Sequence, residues 1–445
     1  MFSRKDLYKL IIPLVIEQFL AVSVGMADTI MIAVRGEEAV SAISLVETIS
    51  ILLIGLFSAL ATGGAVVAAQ YIGHKDYKNA KVAANQLVLS VACFATIVFV
   101  VTLIGNHAIL RLIYGDIDPT IMKNARSYFY ISAMSYPFIA LYNAGAALFR
   151  AMGNSKISMK VSLYMNGINI VGNAILIFGF GMGVEGAGAS TLLSRAVAAM
   201  IVIHLLRNEK NLISINKHLR LGYQPKMIQR ILRIGIPNGL ENSMFQFGKI
   251  LVISLVAEFG KVGITANAVG NSVASFNCLP GSAIGLAMIT VVGQCVGAGD
   301  LEQARKYTWK LLRYACVAML GLNLAMILVM PQLLDLFHLK LETYQLAYQL
   351  LIYHCISCII IWPLSFTLPN ALRAANDVKF TMVVSIFSMW VFRIVLSFIL
   401  AKNLGLGVFG IWVAMTIDWV FRSILFVSRL INGRWMRHAH MSATD

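Results

Sequence analysis

The sequence predicts an all-α membrane protein, with twelve transmembrane helices in two six-helix lobes related by a pseudo-two-fold axis along the membrane normal. Three observations carry that expectation: apolar stretches long enough to span a bilayer, a one-sided distribution of Lys and Arg between them, and an internal repeat at a near-constant offset.

Of the 445 residues, 59% are hydrophobic and only 13% are charged. Soluble domains run at roughly 45–50% apolar and about 25% charged, so a soluble chain could not hide this much apolar surface. Apolar stretches of about 18 residues or more recur throughout, which is the signal of a membrane span. The spans are predicted near 7–33, 45–72, 82–113, 121–149, 155–178, 185–207, 226–256, 265–295, 303–332, 342–373, 377–402 and 407–430. Each can cross about 30 Å of hydrocarbon at about 1.5 Å per residue. Pro137, Pro280, Pro363 and Pro369 fall inside spans, where a missing backbone donor kinks a helix. The first apolar segment is too long for a signal-peptide core and has no small-residue cleavage site, so it is expected to remain as a helix.

The formal net charge of +16 does not point to nucleic acid. Lys and Arg are not gathered with aromatics in one module but sit in short gaps between apolar stretches. Counted in alternate gaps, about 25 lie on one side and about seven on the other. The richer side holds Arg4, Lys5, Lys9, the Lys75–Lys81 loop, Arg150–Lys160 and the central linker; the poorer side holds Arg35, Arg111, Lys261 and Lys402. The positive-inside rule makes the first side cytoplasmic, which puts both termini there and the chain in the inner (cytoplasmic) membrane. The longest polar stretch, 208–226, reads as a cytoplasmic linker between an N-terminal lobe (1–207) and a C-terminal lobe (227–433), with 434–445 as a cytoplasmic tail. The sequence contains no GxxxxGK[ST], so nucleotide hydrolysis by this chain is not expected. No clustered His or Cys ligands and no nucleophile–base pair stand out in the sequence, so no enzyme is expected. Of the six cysteines, Cys355 and Cys358 form a CxxC inside an apolar stretch; it reads as helix packing.

The two halves repeat. Pro13, Glu17 and Gln18 match Pro237, Glu241 and Asn242 at a shift of 224. The same shift carries Gln70, Gly73, Asp76 and Ala80 onto Gln294, Gly297, Asp300 and Ala304, and Gly183 and Gly186 onto Gly407 and Gly410. Arg150 and Ala151 match Arg373 and Ala374 at a shift of 223. Six spans per half give parallel repeats, in which substrate sites lie between the repeats and access alternates by rocking. The small-residue run Ala61–Ala65 permits the close helix approach that such packing needs.

These same residues resemble the multidrug and toxic compound extrusion (MATE) family of cation antiporters, over nearly the whole chain. The resemblance is carried by Gly25-Met-Ala-Asp28-Thr29, by Gln70-Tyr-Ile-Gly73 with Gln294-Cys-Val-Gly297-Ala-Gly299-Asp300, by Arg150-Ala-Met-Gly153-Asn154, and by the run from Gly183 to Thr191. It implies two six-helix lobes and export of cationic or amphipathic drugs in exchange for protons or sodium ions.

Ionisable and amide groups at membrane depth are costly, about 2.5–3.5 kcal/mol for a charge on insertion scales, so each is weighed singly. Asp28 lies late in the first span; the resemblance makes it the cation-coupling carboxylate, against a plain helix-end residue. Asn166, Asn169 and Asn173 share one face of span five at i, i+3 and i+7. The resemblance matches Asn169 to a coordinating amide, Asn173 to a position often held by aspartate, and Thr191 to a hydroxyl of the same cluster; the alternative is polar glue between helices. Under the repeat, Asp28 maps to Val252 and the three asparagines to Met389, Phe392 and Leu396, so ion binding is expected in the N-terminal half alone.

Glu17 and Glu241 are instead kept in both halves. With Gln18, Gln246 and Arg393 they are expected to line the substrate cavity; the alternative is contact with polar backbone near the helix starts. The family's glutamate in span seven falls one turn later, where this chain has Phe245. Arg393 must pair or face water, and Asp418 and Arg422, at i, i+4, are expected to pair with each other.

The expectation is therefore a monomeric secondary antiporter in contact with membrane lipids, without cofactor or nucleic acid, exporting small and cationic organic substrates. The coupling ion is a proton or, as the alternative, sodium held by Asp28, Asn169, Asn173 and Thr191. The rival is a flippase of similar architecture moving lipid-linked or polyanionic cargo, which should line its cavity with several Arg or Lys.

Overall fold

A computed structural model describes residues 2–216 and 222–439, without the side chain of Thr29. Residues 217–221 of the expected linker and 440–445 of the expected tail lie outside the described residues. The described residues form thirteen helical rods: α1 (Arg4–Ala33), α2 (Glu37–Gly73), α3 (Tyr77–Tyr114), α4 (Pro119–Ala151), α5 (Ser155–Gly179), α6 (Val184–Leu206), α7 (Pro225–Ala257), α8 (Gly260–Asn277), α9 (Leu279–Gly297), α10 (Leu301–Asp335), α11 (Leu341–Ala374), α12 (Val378–Asn403) and α13 (Gly407–Ile431). All but α4 and α8 are long and apolar enough to cross a membrane. Helix α4 falls short because it is the polar centre of its unit, burying Tyr128, Ser132, Ser135 and Tyr136 between its neighbours.

The rods follow the predicted spans with one correction. The eighth span, expected as a single helix over 265–295, is two helices that meet at Cys278. Pro280 lies in the first turn of α9, where its missing N–H leaves no hydrogen bond unmade. The repeat-related α2 has Leu56 at that position and runs unbroken. Other departures are π-helical turns at Ala174–Gly179, Pro363–Thr367, Met389–Val395 and Ile399–Asn403. Such turns are rare and concentrate at functional sites.

The chain divides into two compact units, Arg4–Gly239 and a second beginning at Leu240. The division falls inside α7, because its front half packs on α2. A Cβ at Gly63 would lie 2.7 Å from the Ile231 carbonyl oxygen and 2.8 Å from the Gly235 amide nitrogen. Glycine is required where two backbones come this close. In the first unit α4 packs on α2, α3 and α6, while α5 joins α1 to α6. In the second unit α11 packs on α8, α10 and α13, and α12 lies along α13. Leu350, Leu351, Cys355, Ile411 and Trp412 sit in its buried core.

Candidate ion and substrate sites

The first candidate site joins α1, α5 and α6. Asn173 Nδ2 donates to Asp28 Oδ1 over 2.7 Å. With its amide nitrogen turned to the carboxylate, Asn169 donates to Asp28 Oδ1 (2.7 Å) and Oδ2 (3.1 Å) and its oxygen accepts from Thr191 Oγ1 (3.2 Å). Ser190 Oγ donates to the Asn169 backbone carbonyl (2.7 Å), tying α6 to α5 beneath the cluster. Asn169 and Asn173 are buried, and Asn173 Oδ1 has no hydrogen-bond partner. Directly after Asn173 the helix opens into its π-helical turn. Packing of α1, α5 and α6 brings Asp28 and Thr191 to Asn169 and Asn173, two of the three asparagines expected on one face of α5. Asn166 is not joined to them by a hydrogen bond; its amide donates to Ser162 Oγ, one turn back, at 3.3 Å.

Two charged neighbours were not expected at this site. Glu47 and Arg195 both act electrostatically on Asp28. Tyr128 donates to Glu47 (2.7 Å), and Arg195 donates to Ser135 Oγ (2.8 Å). Glu47 was findable as a carboxylate inside the apolar stretch 45–72, where any charge calls for a reason.

The repeat-conserved glutamates form a second pattern. In the first unit Glu17 accepts from Arg150 (3.1 Å) and from Ser158 Oγ (2.8 Å). In the second unit Glu241 accepts from Arg373 (2.8 Å), and Arg422 approaches the same oxygen at 3.7 Å. Arg150 and Arg373 are themselves repeat mates, so one ion pair has been kept twice. Glu17 and Glu241 are buried, at 7% and 6% exposure. Each therefore holds a basic side chain of its own unit rather than polar backbone.

The second unit also encloses a cavity of about 170 Å³, walled by Glu241, Asn242, Phe245, Phe366, Arg373 and Arg422. Arg393 stacks on the Phe245 ring at 5.0 Å and faces Asp418 Oδ2 at 3.8 Å. The expected Asp418–Arg422 pair is not a direct contact, although Asp418 still attracts Arg422 electrostatically. Asp418 is taken by Arg393 and by the Ser388 hydroxyl, while Arg422 turns to Glu241 and stacks on Phe366 at 4.5 Å. The i, i+4 rule describes isolated helices, and tertiary partners override it here. Gln18 and Gln246 are both half-buried.

A bundle of apolar helices with carboxylates held at depth, and no strand among the described residues, defines a multi-pass membrane transporter. The MatE family model matches residues 13–175 and again 237–399, two copies displaced by 237 − 13 = 224, the offset of the internal repeat. The chain belongs to this family of multidrug efflux transporters. It is 26% identical over 457 residues to the probable multidrug resistance protein NorM of Thermotoga maritima, covering 98% of this chain and 94% of that one. It is 27% identical over 455 residues to the transporter YisQ of Bacillus subtilis, covering 97% and 95%. It also matches the multidrug export protein MepA of Staphylococcus aureus at 27% over 271 residues, 60% of this chain and 59% of that one. The fold matches a MATE transporter crystallised in a bent conformation, with a TM-score of 0.89 at 20% identity over 98% of this chain and 97% of that one. An outward-facing multidrug resistance MATE transporter gives 0.88 at 20% identity over 98% and 96%. These likenesses establish the twelve-helix, two-lobe fold.

Proposed function

We propose that this chain is a proton-coupled antiporter of the bacterial inner membrane, with both termini cytoplasmic, that exports small cationic or amphipathic organic molecules by alternating access. Asp28 carries the coupling. The supporting observation is a carboxylate at depth, satisfied by two amide donors, beside an Asn173 oxygen that has no partner. As drawn, the cluster suits an anion: both amides present nitrogen. A protonated Asp28 has one donor to offer, and Asn173 Oδ1 is at hand to accept it after the amide turns. Sodium would need both amide oxygens, Thr191 and the carboxylate turned inward together, with one negative charge to hold it. Either loading removes the charge on Asp28 and changes which hydrogen bonds join α1 to α5, and so biases the conformational equilibrium.

The test is transport by the reconstituted protein under a pH gradient and a sodium gradient, each imposed alone. Asp28→Asn is expected to remain folded and lose driven export, while the unsubstituted chain responds to the pH gradient. Export by Asp28→Asn at the unsubstituted rate refutes the assignment; response to sodium alone transfers the coupling to that ion.

The cavity of the second unit favours a second reading of the cargo. Its wall bears two guanidinium groups, Arg373 and Arg422, and one carboxylate, Glu241, a local balance of 2 − 1 = +1. That balance suits an anionic group on the substrate, as the flippase alternative requires. A cargo panel spanning cationic, neutral and anionic molecules separates the two readings.

A further inference from the structure

A cluster of metal-ligating side chains in the second unit lies apart from both sites above. Cys278 occupies the joint between α8 and α9, and His354 and Cys358 stand at i, i+4 on one face of α11. One ligand atom from each lies within 4.8 Å of the other two. Cys278 Sγ and Cys358 Sγ are 3.9 Å apart, and Cys358 Sγ is 3.5 Å from His354 Nε2. Tetrahedral zinc, with Zn–S near 2.3 Å and Zn–N near 2.0–2.1 Å, sets its sulfurs about 3.8 Å apart and its sulfur–nitrogen pairs about 3.6 Å apart. Two of the three separations, Cys278–Cys358 and Cys358–His354, thus match a coordination shell, and the third ligand pair lies within 4.8 Å; Cys358 Sγ is also 3.6 Å from His354 Nδ1, so a small turn of the ring aims Nε2 at the metal.

The surroundings fit as well. Trp412 and Trp419 meet the His354 ring edge-on at 5.5 and 5.6 Å, which fixes its plane. The fully buried Asn277 side chain lies 3.5 Å from His354 Nδ1, and its Oδ1 has no partner. With the amide oxygen turned to the ring, Asn277 accepts the Nδ1 proton and leaves the Nε2 lone pair free, the outer contact that metal-bound histidines require. That turn exchanges the 3.2 Å contact in which Asn277 Nδ2 donates to Cys355 Sγ for one in which the Cys355 thiol can donate to the amide oxygen; Cys355 stands outside the triad, so the CxxC spacing is not the relevant one. The repeat mates of the three residues are Ile54, Ile131 and Ser135, so packing at this place does not need thiols or imidazole.

We propose that Cys278, His354 and Cys358 bind a d10 divalent cation of the zinc class, which fastens the α8–α9 joint to α11. Binding expels two thiol protons to solvent and involves no electron transfer. Two thiolates and a neutral imidazole cancel the charge of a divalent ion, which makes the loaded site neutral and admissible in an apolar interior.

The test uses the full chain in detergent micelles, freed of metal and titrated with Cd²⁺. A saturable thiolate-to-cadmium charge-transfer band is expected at one equivalent, reversed by Zn²⁺. Cys278→Ser and Cys358→Ser should each weaken binding by tenfold or more, while Cys355→Ser and Cys93→Ser leave it unchanged. In the unsubstituted chain, Cd²⁺ should slow the reaction of Cys278 and Cys358 with maleimide during a timed denaturant pulse that exposes buried thiols, read by peptide mass mapping, while the exposed Cys93 reacts at an unchanged rate. That measurement decides the matter even where a serine variant fails to fold. A band that survives in the Cys278→Ser/Cys358→Ser double variant, or the absence of shielding at saturating Cd²⁺, overturns the proposal.

Discussion

Glu241→Gln separates a substrate-binding carboxylate from an internal counter-ion. In the folded protein Glu241 is 6% exposed, takes a 2.8 Å contact from Arg373 and faces Arg422 at 3.7 Å. Gln keeps the shape and one acceptor but removes the carboxylate that contacts both guanidinium groups, leaving Asp418 as the remaining acid acting on Arg422 among the described residues. Arg422 is 3% exposed, so water cannot replace the lost charge. Breaking a buried pair from one side costs about 3–5 kcal/mol, because the surviving charge stays buried. Here the upper part of that range is expected, since two cations share the acid. Glu17→Gln should cost less, because its basic partner Arg150 is single and retains 16% side-chain exposure. Equilibrium unfolding in mixed micelles gives both numbers. Uptake of a cationic and a neutral dye by inverted vesicles shows whether cargo discrimination changes. Glu241→Met with Arg373→Met should recover only the part of the loss owed to Arg373, because Arg422 stays buried without Glu241. A Glu241→Gln protein within about 1 kcal/mol of the unsubstituted chain, yet blind to cationic dyes alone, would refute the counter-ion account.

Three further outcomes are expected. Single cysteines at Lys75 and Lys261, on a background without native thiols, should label from the cytoplasmic and the external side respectively; external labelling at position 75 reverses the topology. Asp76→Ala removes the cap whose Oδ1 accepts from the Asn79 amide at 3.0 Å, repeated at Asp300 and Gln303 at 2.9 Å, and should cost about 1 kcal/mol by thermal unfolding. That backbone hydrogen bond, foremost, holds the Asp76 carboxyl below its usual range, so its contribution is complete above the unfolded value of about 4 and fades as pH falls through the folded one; an unchanged acid limb in Asp76→Ala counts against it. Gly63→Ala drives a methyl into the Ile231 and Gly235 backbone and should destabilise by about 1–3 kcal/mol, whereas a neutral result would mean that α7 can shift away.

The span pattern was legible because apolar length and charge placement act residue by residue, without tertiary partners. The joint at Cys278 was not, because hydropathy runs on across it, and Pro280 reads equally as a kink or as the first turn of a new helix. In the first site the asparagine spacing on α5 announced a shared face, and that face meets Asp28 through Asn169 and Asn173. Asn166 shares the spacing but its amide turns to Ser162, since periodicity fixes a direction and not a partner. Glu47 and Arg195 belong to other helices, and their convergence on Asp28 is a product of packing.

The repeat held more information than a residue-by-residue reading extracts. Glu17 and Glu241 recur, and so do Arg150 and Arg373; two opposite charges retained together at membrane depth in both copies specify a pair. A buried pair gains little over an apolar substitute, so its survival in two diverged halves argues that each half needs the polar link between its own helices. Asp28 follows the reverse logic. Its mate is Val252, and its direct contacts are amides that can present either nitrogen or oxygen, with Arg195 acting only from further off. Guanidinium groups fix a carboxylate in its charged form, whereas amides tolerate both charged and neutral forms. A group that must be loaded and unloaded in every cycle needs the second kind of partner, and among Glu17, Glu241 and Asp28 only Asp28 has it.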